Sequence, residues 1–279
     1  MVSVATVRGL LELTRPVNTL AAGALTFTGA FVAGGAFAAP LATAAAVGAT
    51  WLATAAGMAI NDYFDREIDR INAPDRPIPR GAVSPRGALA FSAVLFAGAI
   101  GLAASLPALA LGIAAVNLLG LVTYTEYFKG LPGAGNALVA YLVGSTFLFG
   151  AAAVGDPLAG GVLAVLAALS TFTREVVKDV EDVAGDREEG LRTLPIAVGE
   201  RRALVLASAL LVVAVAASPV PYLLGTFGVA YLVVVAPADA LMLVAAYRSF
   251  EDPTRGQQLL KLGTFVAAAA FVVGRVAAA

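Results

Sequence analysis

The stretch "LATAAAVGATWLATAAGMAINDYFDREIDR" (residues 41–70) decides how the rest of the chain is read. Residues 41–61 form an apolar run that, as a helix, is long enough for a hydrocarbon core of about 30 Å. The run then meets Asp62, Asp65 and Asp69. Carboxylates at such a boundary are costly unless a cation pairs with them. The stretch therefore predicts a membrane helix whose end carries chemistry.

The remainder of the 279 residues repeats the apolar part of that pattern. The chain is 59% hydrophobic and 13% charged, with a mean hydropathy of +0.87; a soluble domain carries about 25% charged residues. Apolar runs punctuated by Gly, Pro and charge fall at 17–39, 41–61, 87–106, 108–128, 134–154, 158–179, 202–218, 221–247 and 258–277. Pro237 predicts a kink or tilt in the long run 221–247. Abundant Ala and Gly predict close helix packing. The expected fold is an all-α membrane protein: nine transmembrane helices around a central apolar cavity, one polytopic domain over 1–279. The opening "MVSVATVRGLLELTRP" reads as an amphipathic interfacial lead-in with Arg8, Glu12 and Arg15 on its polar side, not as a signal peptide.

Charge settles the expected orientation. With nine spans, the loops after spans two, four, six and eight share the side of the N-terminus. That side collects every one of the 18 Lys and Arg except Arg275, and the positive-inside rule makes it cytoplasmic. Of the 19 acidic residues, only Asp156 falls clearly opposite, and Asp239 lies within span eight. The expected setting is the cell membrane, with membrane lipid around the spans and an active site facing the cytoplasm. His and Cys are absent, which excludes imidazole catalysis, thiol chemistry, disulfides and Cys/His zinc sites. A metal would need oxygen ligands, which favours Mg²⁺. Nothing in the charge pattern calls for nucleic acid or an obligate protein partner.

The two Asp-rich cytoplasmic loops, 61–86 and 174–201, share a pattern. Asp62, Asp65 and Asp69 stand at i, i+3 and i+7, and in "TREVVKDVEDVAGDREEGLRTLP" (173–195) Asp179, Asp182 and Asp186 stand at the same offsets. On a helix those offsets share one face. Each set follows an apolar run and precedes a proline, Pro77 or Pro195, so an internal pseudo-repeat is expected. Six such carboxylates suit two or three Mg²⁺ ions shared with substrate phosphates. The neighbouring Arg66, Arg70, Arg76, Lys129, Lys178 and Arg192 could hold the remaining phosphate oxygens. A phosphorylated substrate with a greasy remainder fits a charged mouth above an apolar interior. Glu188, Glu189, Glu200, Arg201, Arg202, Glu251 and Asp252 read as solvated surface.

At these residues the sequence resembles the UbiA family of intramembrane prenyltransferases. The family's first motif, NDxxDxxxD, is matched at Asn61, Asp62, Asp65 and Asp69; its second, DxxxD with an upstream Asp, at Asp182 and Asp186 with Asp179. The resemblance spans nearly the whole chain and implies Mg²⁺-dependent transfer of a prenyl group from a prenyl diphosphate to an acceptor. It implies that Asp65 and Asp182 are central to catalysis, that Tyr124 of "TYTEYFKG" (123–130) shields a cation near C1, and that Lys129 binds phosphate. The alternative for Tyr124 is an interfacial aromatic beside a snorkelling Lys. Arg15 and Asn18 are similar to family positions that line the pocket. Asp239, an intramembrane carboxylate, is expected to line the cavity or to pair with a neighbouring helix.

Within the family, "NDYFDREIDRINAPDRPIPRG" and "GDREEGLRTLP" most resemble members that use a lipid-phosphate acceptor. This implies transfer from geranylgeranyl diphosphate to geranylgeranylglyceryl phosphate, forming the second ether bond of archaeal membrane lipid; surplus Arg in the loops suits a phosphate-bearing acceptor. An aromatic acid, a quinone precursor or chlorophyllide is the alternative acceptor. A secondary transporter is the alternative of another class, but transporter sites lie near the bilayer midplane, whereas both Asp groups stand at span ends.

Overall fold

Proline sets where many of the helices begin. Its fixed φ and missing N–H suit the first helical turn, and Pro16, Pro40, Pro85, Pro157 and Pro253 each open one. The computed structural model describes residues 4–278, which contain helices and no strand; residues 1–3 of the lead-in lie outside them. The helices are α1 (Val4–Leu13), α2 (Pro16–Val32), α3 (Pro40–Phe64), α4 (Arg66–Asn72), α5 (Pro85–Ala103), α6 (Ala108–Thr123), α7 (Ala134–Ala153), α8 (Pro157–Glu181), α9 (Val183–Glu188), α10 (Leu194–Val198), α11 (Glu200–Ala217), α12 (Val220–Leu223), α13 (Val229–Arg248) and α14 (Pro253–Val276). A π-helical turn, Tyr124–Phe128, continues α6.

Seven segments among the described residues are long and apolar enough to cross a membrane: α3, α5, α7, α8, α11 with α12, α13 and α14. The apolar α2 and α6 are shorter, at 17 and 16 residues. Large apolar side chains such as Leu158, Val205, Val213, Val233 and Phe265 are more than half exposed along these helices. That surface suits lipid rather than water. The chain is an all-helical, multi-pass membrane protein.

Three expectations are corrected here. The run 17–39 is helical only to Val32. The run 221–247 is not one helix: α12 ends at Leu223, and Gly225 at φ +74° turns the chain before α13 begins. Pro237 then sits inside α13 without ending it. Finally, the Asp-rich segments are helical where they carry Asp. Backbone bonding carries α3 past Asp62 and α8 past Asp179, since a charge at the water boundary costs a helix little.

The helices pack on both sides of α7. On one side Phe149, Ala152 and Ala153 join Ala46 and Ala49 of α3, Ala103 of α5, and Ala110 and Ile113 of α6. On the other, Phe147 joins Leu163 and Leu166 of α8, Tyr231 and Val235 of α13, and Phe271 of α14. Lipid offers no hydrophobic drive between helices, so close backbone approach must supply the attraction. A Cβ on Gly150 would lie 1.9 Å from the Thr26 carbonyl oxygen, and one on Gly29 2.1 Å from that of Phe147. Only glycine fits at this crossing of α2 and α7. Buried polar pairs add to it: Thr26 and Thr50 hydroxyls meet at 2.8 Å, and Thr173 Oγ1 donates to the Ala207 carbonyl at 2.9 Å. Each is worth roughly 0.6 kcal/mol in a membrane.

Candidate active site

The two Asp groups are built alike. In each, the middle carboxylate is the break between two helices: Asp65 between α3 and α4 (φ −79°, ψ 0°), Asp182 between α8 and α9 (φ −91°, ψ 2°). The hydrogen bonds match as well. Asp65 N–H donates to Asn61 O and Asp69 N–H to Asp65 O; Asp182 N–H donates to Lys178 O and Asp186 N–H to Asp182 O. The three carboxylates of each group therefore stand around a helix break rather than along one regular helical face.

In the first group every carboxylate has a cation. Arg15 Nη2 donates to Asp62 Oδ1 at 2.6 Å, and Arg76 Nη1 donates to Asp69 Oδ2 at 2.6 Å while lying 3.6 Å from Asp62. Asp62 and Asp69 are buried, so these partners offset a desolvation cost of several kcal/mol per ion. Lys129 Nζ approaches both oxygens of Asp65 at 3.3 Å. Arg76 is itself shifted: burial works against its charge, but the hydrogen bond to Asp69 and the charges of Asp62, Asp69 and Asp65 outweigh that and raise its pKa. Arg15 holds its position with φ +45° between α1 and α2, a backbone state that costs an L-residue roughly 1–2 kcal/mol. Strain of this kind clusters at functional sites.

α1 and the segment 73–84 close over this group. Leu13 packs on Ala59, Ile78, Val83 and Ala88, and Arg80 Nη2 reaches Glu12 Oε2 at 2.5 Å. The hydrogen bond from Arg80, helped by Arg8, holds the exposed Glu12 carboxyl below its ordinary range.

The second group is open. Asp179 accepts from Asn136 Nδ2 of α7 at 2.8 Å. Asp182 has only Lys178 Nζ at 3.9 Å, with both side chains half exposed. Burial pushes the Asp186 carboxyl up, and the charges of Asp182 and Glu189 act in the same direction. Arg192 is exposed, and its N–H donates to Gly130 O at 3.2 Å, which ties its segment to the turn after Lys129.

The π-helical turn stands between the groups. Charges of both groups act on Tyr124, those of Glu175, Asp179, Asp65 and Asp186, while Lys129 at the end of the turn reaches Asp65. Single π turns occur mostly at functional sites. Across the rim, Asn72 Nδ2 of α4 donates to Oε1 of Glu189, just past α9, at 3.3 Å.

Some expected residues are placed elsewhere. Arg66 turns away from the carboxylates: its guanidinium covers the Tyr63 ring at 4.7 Å and donates to the Tyr63 carbonyl at 2.8 Å. Arg70 pairs with Glu67. Asn18 is exposed on the first turn of α2. Asn61 is half-buried beside Asp62. Asp239 lies well inside α13, where it accepts from Ser218 Oγ at 2.5 Å; Tyr231 donates to the Ser218 carbonyl at 2.7 Å. It lines an apolar cavity with Phe147, Ser170 and Phe271. A second cavity lies across α7 among α3, α5 and α6, lined by Thr54, Asn117 and Leu121.

Among the described residues no three acidic side chains stand together as a ready metal cage. The reason is physical, since buried like charges separate and take cations unless something positive lies between them. The donor chemistry still fits a hard divalent ion. All six are oxygen ligands, and Asp182 and Asp186 have no guanidinium on them. Asn136, Arg174 and Glu175 are the polar residues at this site that the spacing pattern did not pick out.

A helical membrane bundle with two matched Asp-bearing helix breaks under a basic rim is the architecture of an intramembrane prenyltransferase. The chain belongs to the UbiA prenyltransferase family, which it matches over residues 22–272. Among its relatives is the digeranylgeranylglyceryl phosphate synthase of Halobacterium salinarum, 74% identical over 268 residues, 96% of this chain and 97% of the relative. A solved structure of digeranylgeranylglyceryl phosphate synthase superposes with a TM-score of 0.86 at 35% identity, covering 97% of this chain and 99% of that one. A UbiA homologue from Archaeoglobus fulgidus bound to GPP and Mg²⁺ shares the fold at 18% identity, with a TM-score of 0.72 over 96% of this chain and 99% of that one.

Proposed function

We propose that this protein transfers the geranylgeranyl group of geranylgeranyl diphosphate to geranylgeranylglyceryl phosphate, making the second ether bond of an archaeal membrane lipid. The observation that carries the reading is the pair of equivalent helix breaks, at Asp65 and Asp182, on either side of Tyr124 and Lys129. Near-complete coverage by synthases at high identity supports the choice of acceptor. In this reading α2 and α6 join the seven longer segments to make nine spans in one domain, 1–279, with a pseudo-repeat and a cytoplasmic N-terminus and active site.

Asp62, Asp65 and Asp69 with Asp179, Asp182 and Asp186 would hold Mg²⁺, which neutralises diphosphate charge and makes it a better leaving group. The chain's own residues do the rest. Lys129, at 3.3 Å from Asp65, and Arg76 and Arg15, now on Asp62 and Asp69, are the cations available to diphosphate oxygens once the carboxylates turn to metal. Asn61 supports Asp62 from the same turn. Lys178 and Arg192, open at the rim, suit the acceptor phosphate, and Arg66 joins them by leaving Tyr63. Tyr124 presents its ring below the diphosphate, where C1 becomes positive and an aromatic face stabilises a cation. The two apolar cavities flanking α7, one with Asp239 on its wall, suit the two prenyl chains, and Asn18 stands by Arg15 at their charged end; closure by α1 and residues 73–84 keeps bulk water from the cation.

The test is to incubate purified protein with labelled geranylgeranyl diphosphate, Mg²⁺ and either geranylgeranylglyceryl phosphate or 4-hydroxybenzoate, and to identify products by mass spectrometry. The doubly prenylated glycerol phosphate is expected from the first alone. Product from the aromatic acid, or diphosphate release that ignores both acceptors, would sink this reading.

A further inference from the structure

The two Asp groups differ one turn before their first Asp. One turn before Asp62 stands Met58; one turn before Asp179 stands Glu175. Glu175, Asp179, Asp182 and Asp186 follow at i, i+4, i+7 and i+11, so Glu175 continues the carboxylate side of α8 about 6 Å deeper along the axis. In the prenyl-transfer reading a side chain so placed would lie below the diphosphate, toward C1. Its carboxylate is 15% exposed and has Arg174 Nη1 on Oε1 at 2.9 Å, the counter-charge that a carboxylate at this depth requires. Arg174 Nε is buried without a hydrogen-bond partner, so the pair retains an unspent donor. The charge of Glu175 acts on the Tyr124 hydroxyl, as do those of Asp179, Asp65 and Asp186.

Ether formation needs a proton acceptor there. The C1–O bond of the donor breaks with its electron pair leaving on diphosphate; the acceptor's free hydroxyl oxygen bonds to C1; the hydroxyl proton must go to a base. The other carboxylates have other duties: in the reading above the six Asp residues of the two groups would hold metal, and Asp239 is bonded to Ser218 in its own cavity. Resting on the prenyl-transfer reading above, we infer that Glu175 is the general base that takes the proton from the acceptor hydroxyl, with Arg174 as its positioning residue. The proton passes to water or to departing diphosphate when product leaves. No equivalent base is needed in the first half of the molecule, which is why Met58 suffices there.

The experiment compares purified wild type with Glu175→Gln and Glu175→Asp at saturating Mg²⁺. Ether formation is measured with geranylgeranylglyceryl phosphate. Ionisation is measured separately, as scrambling of an ¹⁸O label from the bridging position of the donor, in the presence of an acceptor analogue lacking the free hydroxyl. Glu175→Gln is expected to lower ether formation about 100-fold or more, the usual worth of a general base, with donor KM and label scrambling within threefold of wild type; Glu175→Asp recovers part of the loss. Ether formation within threefold of wild type in Glu175→Gln would overturn the inference and leave diphosphate as the base. Parallel loss of ether formation and scrambling would also overturn it, by placing Glu175 in the ionisation step or the scaffold. Wild type that neither scrambles label nor forms ether would instead refute the prenyl-transfer reading.

Discussion

The two Asp groups share a backbone and differ in everything attached to it. Around Asp65 the carboxylates are buried or covered, each with Arg15, Arg76 or Lys129 upon it. Around Asp182 no guanidinium stands: Asp179 and Asp186 are partly buried, the first accepting from Asn136, and Asp182 is exposed with Lys178 at 3.9 Å. Two alike helix breaks thus sit in two environments, one rich in guanidinium and one without it. In the proposed reading metal would enter at the second, and the cations of the first would become available to phosphate once their carboxylates are recruited.

The largest effect expected is on the open group. Asp182→Ala should leave a folded protein whose ether formation falls by about 10³-fold or more, the scale of lost electrostatic stabilisation at a leaving group; wild-type turnover would show that Asp182 holds nothing essential. EDTA should abolish wild-type activity, with Mg²⁺ restoring it. Next comes the asymmetry itself. Arg76→Ala leaves Asp62 and Asp69 short of a buried partner and should lower thermal stability in detergent by several degrees, whereas Lys178→Ala, beside half-exposed Asp182, should not. Equal stability losses would erase the distinction between closed and open groups. Asn136→Ala should weaken the Mg²⁺ requirement of activity 10–100-fold while sparing turnover at saturating Mg²⁺, as removal of a ligand's hydrogen-bond partner does. The smallest effect is at Glu12→Gln: an exposed pair with Arg80 over the cover should change activity less than twofold.

Much of this was legible in the residues. Proline at helix starts, apolar runs between charges and the doubled Asp spacing were enough for the helical membrane fold and for both Asp-bearing ends. Three things were not. The turn at Gly225 hides in an unbroken apolar run, because a positive φ leaves no mark in hydropathy. The contact of the Arg66 guanidinium with the Tyr63 ring and carbonyl on the preceding turn leaves no mark in the charge spacing. Asn136 stands at the start of α7, 43 residues from Asp179 in sequence, and only the packing of α7 on α8 brings them together. Glu175 could have been found by asking where the repeat fails, since its partner position is Met58.

The central claim is that the two helix breaks act on one diphosphate, and a double-mutant cycle tests it most directly. The measurement is Mg²⁺-dependent binding of geranylgeranyl diphosphate to wild type, Asp65→Asn, Asp182→Asn and the double variant. If both groups hold the same ligand, the double variant should bind no more than about threefold worse than the weaker single variant, because coupled residues are far from additive. Losses that multiply across the two sites would mean that they act independently, and would contradict the account.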